Sequence, residues 1–246
     1  MFPCPGEPLW PHPHTPPGES NMSEVRRPVA AGLFYPGHPE LLRQSLDTLL
    51  RAHPTLGTRP RALVLPPGGQ ARAGAAIAAA CSLLQAAAAP PNRVYLLATT
   101  PHRTAEGPAF SGKRQFATPL GRLTLDAAGI ERLQDDAGGA LDDRAHALEH
   151  RLEAPLPYLQ RVLPPFQLVP VLLPEAGTTS AACGRILQLA LEDRAGLLVV
   201  VDAPDGPLDR QLQVQARALG LDRQPAPSAP DHRREGPDAP LAHSFH

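Results

Sequence analysis

Residues 61–74 read RALVLPPGGQARAG. A short apolar run meets a Pro-Pro-Gly-Gly turn and continues into an alanine-rich segment. The run is of strand length, and apolar at successive positions rather than at alternate ones. That pattern belongs to a strand covered on both faces. The segment after the turn predicts a helix over residues 72–89, stopped by Pro90 and Pro91. The same unit recurs. Residues 93–99 (RVYLLAT), 167–173 (QLVPVLL) and 196–202 (GLLVVVD) are further apolar runs. Helical periodicity falls over residues 39–52, 179–191 and 208–219, with Leu41, Leu42, Leu46, Leu49 and Leu50 marking the first. Residues 116–125 (FATPLGRLTL) predict a strand pair, and Phe34, Tyr35 and Pro36 a turn. Apolar strands alternating with helices define an α/β fold with a largely parallel central sheet. Ligands of such sheets bind beyond the carboxyl ends of the strands. Here those ends are the loops 66–70, 99–103 and 202–206.

At 246 residues the chain suits one domain with a real core. Residues 1–23 carry seven of the 32 prolines and predict a disordered tail; the folded domain is expected over 24–222, and a second disordered tail over 223–246. A formal net charge of -1 gives no footing for nucleic acid or an anionic membrane. Lys113 is the sole lysine among many arginines, a compositional bias more than a functional one. Cys4, Cys81 and Cys183 are odd in number and lack CxxC spacing, which excludes a disulfide framework and a zinc ribbon. No apolar run approaches the roughly 20 residues that cross a bilayer. The expectation is a cytoplasmic protein.

Chemistry-bearing residues concentrate in residues 142–160, DDRAHALEHRLEAPLPYLQ. In one continuous helix His146, Glu149, His150 and Glu153 would share a face, with Leu148 and Leu152 available for burial on another. HALEH matches the H-x-x-E-H pattern, in which two histidines bind zinc and the glutamate acts as general base. A third ligand would have to come from Glu175, Glu192 or Glu235. The alternative is a polar face paired with Arg144 and Arg151. His102 sits just past a strand, at the ligand edge. Gly68, Gly69 and Gly74 open a helix that could receive an anion, but the lysine of a P-loop is lacking and a tight turn explains them as well. Cys81 and Cys183 read as small core residues.

The ordered set of segments VAAGLFYPGHPELLRQSL, LVLPPGGQARAG, LLATTPHRTAEGPAFSG, FATPLGRLTLD, AHALEHRLEAPLPYLQRVLPPFQLVPVLL and LLVVV resembles the Memo-like family, also called AmmeMemoRadiSam system protein B. The resemblance covers residues 25–203 and implies a three-layer α/β sandwich similar to class III extradiol dioxygenases. It also implies a metal pocket, with iron, copper or zinc as the cofactor of a functional site. Against the family pattern P-H-A-G-Y this chain has Pro67 in place of the first metal histidine. At the second histidine an ungapped reading places Pro101, with His102 adjacent. The family's S-S-D-x-x-H becomes Val201-Asp202-Ala203-Pro204-Asp205-Gly206, and Arg151 and Pro155 replace a serine and a glutamine. His146, Glu149 and His150 become pocket-lining residues under this resemblance. The expectation is therefore a Memo-like protein without catalytic activity, one that acts through a protein partner or as a homodimer. The alternatives are a metal-dependent oxygenase with ligands rearranged onto His102, His146 and His150, and the H-x-x-E-H zinc hydrolase. A truncated sheet would leave an apolar edge open.

Overall fold

The computed structural model describes residues 24–54, 59–85, 87–101, 107–178, 180–225 and 242–246. The expected tail 1–23, the residue His102 and the segment 226–241 lie outside the described residues. In chain order the elements are β1 (Val25–Arg26), α1 (Pro39–Arg51), β2 (Ala62–Leu65), α2 (Gln70–Ser82), β3 (Arg93–Thr100), β4 (Ala109–Phe110), β5 (Gln115–Thr118), β6 (Gly121–Thr124), α3 (Ala127–Ala137), β7 (Ala140–Leu141), α4 (Asp143–Leu148), α5 (Leu156–Val162), β8 (Gln167–Pro174), α6 (Ala181–Glu192), β9 (Gly196–Val201), α7 (Pro207–Ala218), β10 (Arg223–Pro225) and β11 (His243–Phe245).

The main sheet runs β10-β11-β2-β9-β3-β8-β4-β7. Its centre, β2, β9, β3 and β8, is parallel, and β9 lies between β2 and β3 with Val199 opposite both Leu63 and Leu96. All four residues of β2 and the run Leu197–Val201 are essentially without solvent exposure, as unbroken apolar strands require. The crossover from β2 through α2 to β3 passes over β9 in one direction; that from β8 through α6 to β9 passes over β3 in the other. Right-handed crossovers running in opposite directions place their helices on opposite faces. Accordingly α1, α2 and α5 pack together as one layer, and α3, α6 and α7 as the other. The result is the expected three-layer α/β sandwich.

A second sheet, β1-β5-β6, joins the parallel pair Val25↔Gln115 to the antiparallel hairpin Phe116↔Leu123. The turn before α1 closes through Gly32 N to Tyr35 O at 2.8 Å, and the backbone of Phe34 accepts from Gln70 N at 2.7 Å. Gly69 is needed there because a Cβ would press on the Phe34 carbonyl, whereas Gly68 serves the turn itself with φ +137°. The helix α2 is shorter than expected, ending at Ser82 rather than Ala89.

Two departures concern segments to which the sequence assigned no helix or strand. Helix α3 went unpredicted; Asp126 caps it by accepting from Gly129 N, and Ile130 and Leu133 bury its inner face. The segment 223–246, expected to be a disordered tail, contributes β10 and β11, and β11 pairs antiparallel with β2 (His243↔Val64, Phe245↔Ala62). An apolar edge was expected to stand open; β11 covers that of β2, with Ser244 and Phe245, each 1% exposed, giving the strand a buried anchor.

Candidate functional site

The stretch 142–160 is not one helix. α4 ends at Leu148, and Glu149 takes an extended backbone conformation (φ -91°, ψ 112°) before a set of turns leads into α5. The cause is Arg26. Its guanidinium donates from Nε to the His146 carbonyl and from Nη2 to the Glu149 carbonyl, both at 2.7 Å. The His146 carbonyl is thereby held at the end of α4 by a cation, the favourable charge for a helix C-terminus. Arg26 Nη1 meets Glu153 at 2.7 Å, and Glu153 also accepts from Val29 N and Ala30 N at 2.8 Å and from Tyr35 OH. Glu153 is 0% exposed and Arg26 4%. Burial first, then the hydrogen bond to Glu153, pushes the Tyr35 phenol far above its ordinary range. This cluster ties the first turn of the domain to the centre of the chain.

The predicted site residues separate accordingly. His146 is in the core, its Nε2 3.0 Å from the Ala109 carbonyl and its ring edge-on to Phe116. Burial pushes its pKa down to about 4. His150 is half-buried and stacks on Phe34 with ring centroids 4.5 Å apart. Glu149 is buried, accepts from Arg151 N at 2.8 Å and lies 3.8 Å from His150 Nδ1. Pro67 and Pro101 are exposed. The shared helical face of His146, Glu149, His150 and Glu153 is thus corrected. The zinc-hydrolase geometry fails with it, since H-x-x-E-H needs both imidazoles on adjacent turns of one helix. Leu148, expected to be buried, is 64% exposed, whereas Leu152 is in the core. Among the described residues no three of His, Cys, Asp and Glu are arranged to hold a metal ion.

What the strand ends do form is a cavity of about 360 Å³ lined by Pro67, Thr99, Arg151, Glu175, Asp202 and Pro207, with Val201 and Ala203 completing its wall. These residues lie at or just past the carboxyl ends of β2, β3, β8 and β9, apart from Arg151 between α4 and α5 and Pro207 at the start of α7. The cavity therefore occupies the edge at which sequence patterning placed the ligand. Arg151 Nη1 donates to the Thr99 carbonyl at 2.9 Å and to Thr99 Oγ1 at 3.1 Å, and stands 3.7 Å from Glu175 Oε1. Asp202 Oδ1 accepts from Ala203 N at 2.8 Å, and Oδ2 from Leu208 N at 2.8 Å and Asp209 N at 3.0 Å. Its carboxylate is the anion of the α7 N-terminus. Gly206 has no side chain because a Cβ would collide with that carboxylate. In the sequence Arg151 stands out only as a departure from the family pattern. Its position one residue past HALEH was the available signal.

A three-layer α/β sandwich with a small pocket at the carboxyl edge of a parallel sheet defines the class. The chain belongs to the Memo-like protein family, whose family model matches residues 26–203. It is 30% identical over 181 residues to a MEMO1 family protein of Aquifex aeolicus, covering 72% of this chain and 65% of that protein. A MEMO1 family protein of Methanothermobacter thermautotrophicus is 28% identical over 193 residues, 74% of this chain and 69% of that one. The protein memo-1 homolog of Caenorhabditis elegans is 29% identical over 195 residues, with 75% and 55% covered. The matched region thus spans from 55% to 69% of these three relatives' own length. No helix among the described residues is long and apolar enough to cross a membrane.

The metal implied by the family resemblance finds a poor donor set here. Pro67 offers no side-chain donor atom. Both oxygens of Thr99 are engaged by Arg151, and both of Asp202 by backbone amides. A guanidinium fixed within the cavity opposes a second cation, and Arg does not deprotonate to become a ligand. Among the described residues that line this cavity, no set of three donors for iron, copper or zinc is assembled.

Proposed function

We propose that this Memo-family protein is a non-catalytic binding member of the family, in which Arg151 fills the role of fixed positive charge that a metal would otherwise supply. The observation that carries this reading is the clamp of Arg151 on Thr99, with Nη1 held by both the carbonyl and the hydroxyl. A cation anchored by two hydrogen bonds at the end of β3 makes the pocket a receptor for negative charge instead of a holder of positive charge. The oxygenase alternative draws on His102, His146 and His150. It is disfavoured by the commitment of His146 to Ala109 and of His150 to Phe34. Elemental analysis of the purified full chain tests the proposal. The expected content is far below one equivalent of iron, copper or zinc per chain, before and after incubation with each ion followed by desalting. A retained stoichiometric metal overturns it.

A further inference from the structure

We propose that the Arg151 cavity is a binding site for a small monocarboxylate, and that Glu175 is the internal carboxylate which the ligand displaces. The inference rests on the metal-free reading of the pocket and adds the class of ligand. Both Thr99 contacts and the approach to Glu175 are made through Nη1. The edge formed by Nε and Nη2 has no partner among the described residues. Two parallel N–H donors on a planar, anchored guanidinium match the two oxygens of a carboxylate. Glu175 stops short of that arrangement. At 3.7 Å it is an ion pair without a hydrogen bond, and its side chain is 61% exposed on the turn that follows β8. It neutralises Arg151 loosely and can swing into solvent.

The other acid lining the cavity does not compete for the same donor. Asp202 is 8% exposed and spends its charge on three backbone amides around the start of α7. It does set a field that disfavours a doubly charged anion, which is why a carboxylate is assigned in preference to phosphate. Pro67, Val201, Ala203 and Pro207 supply carbon surface for the body of the ligand. A volume of about 360 Å³ lies at the small end of ligand pockets. The cavity thus combines an anchored guanidinium with apolar lining, at a volume suited to an acid with a compact hydrocarbon group.

The test is calorimetric titration of the full chain with benzoate, 2-methylpropanoate and inorganic phosphate, with metal content measured on the same preparation. Saturable one-to-one binding of at least one carboxylate is expected, with phosphate at least about tenfold weaker. R151K, which keeps the charge and loses the fork, should weaken carboxylate binding about tenfold or more. E175Q, a surface change that leaves the fold intact, should tighten it about threefold to tenfold by removing the internal competitor. No saturable binding of either carboxylate to wild type and E175Q, a preference for phosphate, or equal affinity of R151K would each overturn the assignment. Metal-free protein that binds no carboxylate refutes this inference alone. Protein holding stoichiometric metal refutes the proposed function beneath it.

Discussion

Replacing Glu153 by alanine removes one acceptor from four donors: Arg26 Nη1 at 2.7 Å, Val29 N and Ala30 N at 2.8 Å, and Tyr35 OH. Arg26, 4% exposed, keeps its charge and loses its only carboxylate partner among the described residues. Breaking a buried ion pair from one side costs about 3–5 kcal/mol, and the stranded Ala30 amide, buried where that of Val29 is only partly so, adds about 1–3 kcal/mol. Water entering the space left by the side chain offsets part of that sum. The expected loss is therefore about 4 kcal/mol, equivalent to a fall in Tm of about 8–16 °C for a domain of this size. Urea unfolding followed by circular dichroism is the assay. E153Q, which retains the volume and one oxygen acceptor, should lose about half as much and provides a folded comparison if E153A does not fold. Adding R26M to E153A removes the stranded charge and should recover part of the loss. A loss under about 1 kcal/mol for E153A, or strictly additive losses in the pair, would refute the account of this cluster as a buried ionic tie.

Four further outcomes follow from the geometry. His146 has its pKa pushed down to about 4 by burial, below the ordinary value of 6.5. The unfolded chain therefore binds the proton first as pH falls, and stability should be complete above about pH 6.5 and decline toward pH 4 by up to about 3 kcal/mol; H146Q should flatten that decline in urea titrations at pH 7.5 and 5. G206A forces a methyl group against the Asp202 carboxylate and should cost about 1–3 kcal/mol by loosening the α7 cap, read as a lower urea midpoint. S180A removes the side chain that accepts from Cys183 N at 3.2 Å at the start of α6 and should cost about 1 kcal/mol by the same assay. Burial raises the Cys81 and Cys183 thiols to about 12, so iodoacetamide mapping by mass spectrometry should leave both unmodified in native protein and label both in urea.

The parallel core was legible because its strands are short, apolar at every position and punctuated by proline and glycine; β2, β3, β8 and β9 each lie within a residue or two of their expected limits. The ligand edge followed from the same pattern, and Pro67 and Asp202 do line the cavity there. The interior of the 142–160 stretch was not legible. Its local preference for helix is overruled at Glu149 by a guanidinium from residue 26, more than a hundred positions away in the sequence. Helix α3 was missed because Ile130 and Leu133, its only large buried residues, are too few to mark a period, although Asp126 and Gly138 stand at its ends as start and stop signals. The strands β10 and β11 are too short for a period of two to register, and β11 exists through its partner β2.

The position of β9 has a consequence for how the chain is made. This strand is the middle of the parallel sheet in space, yet its residues 196–201 follow β2 and β3 by roughly a hundred positions or more. At about 5–20 residues per second, β2 and β3 leave the ribosome several seconds to tens of seconds before the strand that separates them. Throughout that interval the apolar strand β2 and the largely apolar strand β3 lack the partner that separates them in the sheet. A direct β2–β3 pairing is the natural wrong turn, and it must open again to admit β9. The nascent chain should therefore depend on holding factors during synthesis, and refolding from urea should be slow, because β9 must pair with strands that lie about a hundred or more positions earlier in the sequence.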